Sequence, residues 1–332
     1  MAVNSGTSGL HLLIRAYGIS DGDEVITTPF SFIASSNCIL YEKAKPVFVD
    51  IEPDTANMDA DLIEQAITPR ARAVLAVDAF GQPARLDEIR DIARKHGLVF
   101  IEDSCESLGS VYNGKKAGGP DFADAAVFAF YPNKQITTGE GGMIVTDDDR
   151  IAALCNSMRN QGRGEAGVWL AHERLGYNYR IDEMSAALGV VQMGRIGEIL
   201  EKRARVAQMW RERLLRIEGV WVPRVAPEVD FMSWFVYVIR VGCEEAGAEA
   251  QQAVRDRVMQ RFQEAGIGCR PYFTPIHLQP FYRERFGYRE GDFPVMEAVG
   301  RTSVAIPFHN RITEEEVEYV AGVLEGALGE RG

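Results

Sequence analysis

The sequence predicts an α/β fold, with a larger unit built on a mostly parallel sheet covered by helices, followed by a smaller α+β unit. Three observations carry this. Short, almost continuous apolar runs alternate with amphipathic patterns through the first half of the chain, as strands buried on both faces of a parallel sheet do. After Arg180 the pattern changes to one long helical stretch. A strand, a helix, a second strand and a last helix then follow from about Val220, with no low-complexity linker between the two units.

Taken in order, the expected strands are residues 24–28, 46–50, 73–77, 98–103, 125–130 and 142–145. Each is short and rich in Val, Ile, Leu, Ala or Phe, the signature of a buried strand. Helical patterns at 32–41, 59–66 and 86–96 supply the crossovers between them. The long helix is expected from 182 to about 216, with Ile196, Ile199 and Leu200 on its apolar stripe. The second unit reads as strand 234–241, helix 250–265, strand 267–272 and helix 314–328. The expected domains are therefore 1–218, including the connecting helix, and 219–332.

Apolar residues make up 46% and charged residues 25% of the 332 positions, ordinary values for a globular protein. A net charge of −12 argues against general nucleic-acid or anionic-membrane binding; an anionic substrate would need a local cationic pocket. The basic run Lys202-Arg-Ala-Arg205, with Arg211, Arg213 and Arg216, is expected on the wet face of the long helix. Five cysteines (Cys38, Cys105, Cys155, Cys243 and Cys269) contain no CxxC pair, so neither a disulfide framework nor a metal site is expected. Apolar runs reach only strand length and no signal peptide precedes Asn4, which makes the cytoplasm the expected compartment.

Lys134 is the most informative residue. It lies between the apolar run Val127-Phe-Ala-Phe130 and the glycine-rich turn Gly139-Glu-Gly-Gly142, where an amine is held near backbone that can approach a ligand. Thirty-one residues earlier, Asp103 ends the apolar run Leu98-Val-Phe-Ile-Glu-Asp103, at the strand end where open α/β sheets place ligands. An amine for an aldehyde and an acid for a pyridine nitrogen are the pair that pyridoxal phosphate needs. Ser5-Gly-Thr-Ser8 opens an apolar helical pattern, suited to a phosphate at a helix N-terminus. Phe32 could stack on a cofactor ring. Each residue also has a plainer reading: a solvated lysine, a turn aspartate, an N-cap, a core phenylalanine.

In combination these segments resemble the DegT/StrS-type nucleotide-sugar aminotransferases of the fold-type I pyridoxal-phosphate enzymes. The similar stretches are Val3–Ser8, Gly22–Ile26, Pro46–Asp50, Phe80–Pro83, Ile101–Gly109, Phe130–Gly142, Leu175–Arg180, Arg270–His277 and Ile306–His309, and they span essentially the whole chain. The resemblance implies a seven-stranded sheet and pyridoxal 5′-phosphate as cofactor. It implies that Lys134 joins the cofactor aldehyde and later moves a proton, and that Asp103 partners the pyridinium nitrogen. Thr7 and Ser8 match the phosphate cradle, Phe32 the stacking aromatic, and Glu106 a position near the cofactor's phenolic oxygen that is often Gln or His. Asn178 matches a residue that reaches the phosphate of a neighbouring subunit, which implies a homodimer with shared sites.

The implied reaction moves an amino group from glutamate or glutamine to a keto group of a nucleotide-linked deoxysugar, at C4 in the commonest case. Arg270 and His277 are the candidates for binding the donor or the nucleotide sugar, against the plainer readings of a salt-bridged arginine and a loop histidine. Two departures stand out. Ala129 occupies a position where many relatives have serine, and relatives carry a further segment ahead of the Ser-Gly-Thr motif, which puts the first helix and the substrate entrance in question. The alternatives are a pyridoxamine-dependent sugar 3-dehydratase, in which histidine replaces the lysine and which Lys134 therefore opposes, and a non-catalytic cofactor-binding regulatory protein.

Overall fold

The computed structural model describes residues 1–164, 171–242 and 247–329; Cys243 lies outside them. In the first half the strands are β1 (Ala2–Val3), β2 (Glu24–Thr27), β3 (Lys45–Phe48), β4 (Ala71–Val77), β5 (Val99–Asp103), the hairpin β6 (Val111–Tyr112) and β7 (Lys115–Lys116), β8 (Ala125–Ala129) and β9 (Gly142–Val145). All but the hairpin form one seven-stranded sheet in the order β1-β9-β8-β5-β4-β2-β3. From β3 to β8 every pairing is parallel, whereas β9 runs against both its neighbours. The expected mostly parallel seven-stranded sheet is what the chain forms.

Alternation along β4 divides the core. Val74 and Ala76 join one apolar cluster with Ile26 and Phe100, while Ala73, Leu75 and Val77 face the other with Val25 and Ile101. Successive side chains of a strand point to opposite faces, so both faces are covered, by α1 (Gly6–Ala16), α2 (Ala34–Tyr41), α3 (Ile63–Ala66), α4 (Leu86–His96) and α5 (Asp149–Arg159). α4 shows how these helices are specified. Leu86, Ile89 and Ala93 bury one stripe, Asp87 and Glu88 stand in the first turn and Arg94, Lys95 and His96 in the last, and Gly97 stops the helix at φ 65°; these charges complement the helix dipole and the left-handed cap suits glycine.

The chain continues through α6 (Glu183–Met193) and α7 (Ile196–Leu214), then β10 (Val220–Trp221), β11 (Val229–Phe231), β12 (Tyr237–Val241), α8 (Ala248–Glu264), α9 (Pro280–Phe286), α10 (Pro294–Thr302), β13 (Ser303–Ile306) and α11 (Glu314–Gly329). A three-stranded antiparallel sheet, β10-β12-β13, shares a core with Trp210 and Leu214 of α7, Phe262 of α8 and Leu324 of α11. β11 instead returns to pair with β6. Among the described residues, no helix is long and apolar enough to cross a membrane.

Several expectations are corrected. The long helix is two, divided at Gly194–Arg195. Residues 267–272 are not a strand: within that stretch Arg270 makes an isolated bridge to Ala305, and β13 is the strand that pairs with β12. Residues 59–66 form a short 3-10 turn running into the brief α3. Residue 234 precedes rather than begins β12, because Trp234 adopts φ 54°. In the basic run Arg203 is buried, unlike its exposed neighbours Lys202 and Arg205, and Arg213 is half-buried against Glu318 and Glu325. The first helix folds as α1, capped by the Ser5 side chain.

Candidate active site

Asp103 is the last residue of β5, flanked by β4 and β8 in parallel register. Its carboxylate is fixed twice: Oδ2 accepts the Ser35 hydroxyl at 2.7 Å, and Oδ1 accepts the Cys105 N–H at 3.2 Å. Ser35 belongs to α2, so a neighbouring crossover helix orients the acid. A buried carboxylate needs such partners.

Lys134 stands in the loop that leaves β8. The loop is closed at its base, where Phe130 donates its N–H to the Gly141 carbonyl at 2.9 Å and accepts from the Thr138 N–H at 3.0 Å. Its Nζ meets Glu106 Oε1 at 3.3 Å and lies 3.9 Å from the Phe235 ring centroid. Glu106 is buried, its Oε2 accepts the Phe80 N–H at 2.9 Å, and burial, opposed by Lys134, raises its carboxyl above the usual range.

Both residues line a cavity of about 460 Å³, whose walls include Ser5, Gly6, Thr7, Phe32, Ser35, Asp103, Glu106, Ala129 and Lys134. α1 aims its N-terminus here. Its first amides have no helical carbonyl to bond, and no acidic residue stands in its first turn. The approach is tight: a Cβ on Gly6 would come within 2.8 Å of the Ala129 Cβ and 2.9 Å of Cys105 Sγ. Ala129 and Cys105 thus leave no room for a side chain at position 6. Phe32, 64% exposed, lies at the rim. Ser8 is turned away: its hydroxyl donates to Asn4 Oδ1 at 2.6 Å and lies 2.9 Å from Ser5 Oγ, so Ser5 takes its place in the wall.

A second cavity of about 700 Å³ adjoins the first, sharing Asn133, Lys134, Phe235 and Tyr272 as their partition. Arg195, Lys202, Arg203, Arg270 and Arg311 line it, a local concentration of positive charge in an acidic protein. Arg270 therefore reaches the site. His277 does not: it is fully buried, its Nε2 is 2.9 Å from Glu297 Oε1, and it lines neither cavity. Burial lowers its pKa despite that partner. Asn178 is exposed and also lines neither, its carbonyl accepting from Asn4 Nδ2 at 3.3 Å. Sequence reasoning missed Ser35, Phe235 and Arg203. Ser35 had one signal, three residues after Phe32 in the expected helical pattern 32–41, although Phe32 itself lies just before α2; Arg203 was hidden in a basic run. Among the described residues no group of three or more His, Cys, Asp or Glu is placed to hold a metal.

A mostly parallel sheet carrying an acid at a strand end, an amine in the adjoining loop and a helix N-terminus over one cavity defines a fold-type I pyridoxal-phosphate aminotransferase. The chain belongs to the DegT/DnrJ/EryC1/StrS aminotransferase family, whose profile matches residues 1–325. It is 38% identical to a GDP-perosamine synthase of Caulobacter vibrioides, over 99% of this chain and 85% of that protein. Its structure is similar to that of S. venezuelae DesV, with a TM-score of 0.91, 30% identity and coverage of 100% of this chain and 85% of the other. The PLP-form of Spr1654 from Streptococcus pneumoniae gives a TM-score of 0.90 at 26% identity, covering 98% and 86%. The protein is thus a sugar aminotransferase, and its cofactor is pyridoxal 5′-phosphate.

Proposed function

We propose that this enzyme transfers an amino group from glutamate to the C4 keto group of a nucleoside-diphosphate deoxysugar, with Lys134 and Asp103 as its catalytic residues. The supporting observation is that a fixed, buried carboxylate and a held amine share one cavity with the N-terminus of α1. When bound, the cofactor supplies an electron sink for the carbon that loses its proton. The protein does the rest. Asp103, anchored by Ser35 and Cys105, would partner the cofactor's ring nitrogen. Lys134 would hold the cofactor through its aldehyde, and its amine is the group in this cavity that would move the proton lost by the amino-bearing carbon. Thr7, Gly6 and Ser5 would hold the phosphate through helix amides and hydroxyls, with Ser8 supporting Ser5 from behind, and Phe32 at the rim would cover the ring. Glu106 lies beside the amine and would neighbour the cofactor's phenolic oxygen.

The cationic second cavity fits the sugar nucleotide's diphosphate, with Arg270 and Arg311 available for it; the carboxylates of glutamate suit the same charges. His277 serves the structure through Glu297 instead. The active unit is a homodimer. Every residue of α6 is left unburied, with Met184 84% and Val190 75% exposed, and an apolar helix of that kind marks an association surface. Asn178 would then reach the partner's phosphate site across the interface. The similarity to a GDP-perosamine synthase supports amination at C4.

The test is product analysis. Cofactor-loaded enzyme with nitrogen-15-labelled glutamate and a nucleoside-diphosphate 4-keto-6-deoxyhexose should yield labelled 4-amino sugar nucleotide and 2-oxoglutarate. Glutamate consumed without an aminated sugar would contradict the substrate assignment, and no consumption at all would favour a regulatory role.

A further inference from the structure

Lys134 is gripped from two sides. Glu106 lies on one side at 3.3 Å and the Phe235 ring on the other at 3.9 Å. The lysine side chain is only 12% exposed, and a cation over an aromatic face gains most when both are withdrawn from water. Phe235 follows Trp234, whose φ of 54° lies in the left-handed region that bulky residues avoid, so its position has to be imposed by the surroundings.

Three anchors impose it. The Phe235 N–H donates to the Phe80 carbonyl at 2.9 Å. The Ser233 N–H donates to Ser110 Oγ at 3.0 Å. From α7, Arg203 donates Nε to the Trp234 carbonyl at 2.7 Å and a terminal nitrogen to the Phe235 carbonyl at 2.6 Å. Arg203 is 5% exposed, and its guanidinium also lies 4.8 Å from the Phe308 ring centroid. Burial lowers its pKa to about 10. A buried guanidinium satisfied by carbonyls and a ring is a costly way to hold a loop, which marks the loop's position as the thing being held. Phe80 ties the two sides together, because its N–H also bonds Glu106 Oε2. Gly81 lets the two loops meet: a Cβ there would lie 2.9 Å from the nitrogens of both Trp234 and Phe235.

We infer that Phe235 is a positioning residue for Lys134, its ring and the Glu106 carboxyl aiming the amine into the cofactor cavity while Arg203 sets the ring from behind. The inference rests on Lys134 being the residue that bonds the cofactor. It is tested on the full-length enzyme stripped of cofactor, by mixing with pyridoxal phosphate and following covalent capture by absorbance and by borohydride trapping. Binding of pyridoxine 5′-phosphate, which lacks the aldehyde, is measured alongside. Phe235→Leu should slow capture about tenfold, the scale of a desolvated cation–ring contact, with pyridoxine phosphate affinity unchanged. Phe235→Tyr should recover most of the rate. Arg203→Met should behave as Phe235→Leu does, and Arg203→Lys should restore part of the loss. Wild-type capture in Phe235→Leu overturns the inference, and so does a parallel loss of pyridoxine phosphate affinity, since a collapsed pocket produces that. Should Arg203→Met fail to fold, the Phe235 pair still decides. Trapped cofactor in Lys134→Ala would instead remove the assignment of Lys134.

Discussion

The Lys134 amine and the Glu106 carboxyl meet at 3.3 Å in a wall where Glu106 is only 5% exposed. Removing one member of a buried pair leaves an uncompensated charge. Lys134→Ala should therefore abolish covalent cofactor binding and turnover while keeping the fold, with a pH-dependent loss of stability. Glu106 has a carboxyl pKa raised by burial, so its contribution is present below the unfolded value of about 4.3 and is lost as pH rises through the folded value. Urea melts of cofactor-free Lys134→Ala should show little penalty near pH 4 and roughly 3 kcal/mol near pH 8, recovered by adding Glu106→Gln. A penalty independent of pH would contradict this.

A pair of acids, Asp78 and Glu102, lies beside Asp103. Asp78 and Glu102 are both fully buried. Asp78 accepts the Ala84 N–H at 3.1 Å and Glu102 accepts the Gly118 N–H at 2.7 Å. Burial first, then their mutual repulsion for Glu102, pushes both carboxyls upward. Glu102 Oε2 has no other hydrogen-bond partner, and Asp78 and Glu102 interact through their side chains. With both folded pKa values raised, stability is full below about pH 4 and falls as pH rises through the folded values. Glu102→Gln keeps a donor and should gain on the wild type as pH rises; melts at pH 5 and pH 9 measure the difference.

Asp103→Asn should retain cofactor but slow removal of the glutamate α-hydrogen by about two to three orders of magnitude, the scale for losing one preorganised electrostatic partner. Stopped-flow absorbance of the glutamate half-reaction reads this directly. Ser35→Ala should give a smaller loss, because Cys105 still holds one carboxylate oxygen.

Val190→Asp places a charge on the unburied face of α6. Sedimentation should show a dimer for the wild type and a monomer for the variant. The monomer should retain cofactor less well, since Asn178 lines neither cavity of its own chain. A monomeric, fully active wild type would remove the shared-site reading.

The sheet and the pair Lys134 and Asp103 were legible because buried parallel strands are continuous apolar runs, and because their carboxyl ends carry polar residues that no core needs. The break between α6 and α7 was not, since apolar residues continue on both sides of Gly194 and the solvent-facing apolar surface of α6 looks like core in a sequence. Arg203 reads as one more solvated cation until Trp234 and Phe235 are brought to it from thirty residues away. His277 shows the converse, a polar residue in a motif that turns out to serve Glu297 and the packing around it. Contacts made by distant segments are not encoded in local pattern.

The central claim is that Lys134 and Asp103 make this cavity an amino-transfer site. The most direct measurement is the absorption spectrum of the protein with pyridoxal phosphate, before and after glutamate and then after a 4-ketosugar nucleotide. The visible band should appear on cofactor addition, disappear with glutamate and return with the sugar, and it should be absent in Lys134→Ala. A band that forms in the wild type but does not respond to glutamate would contradict the account.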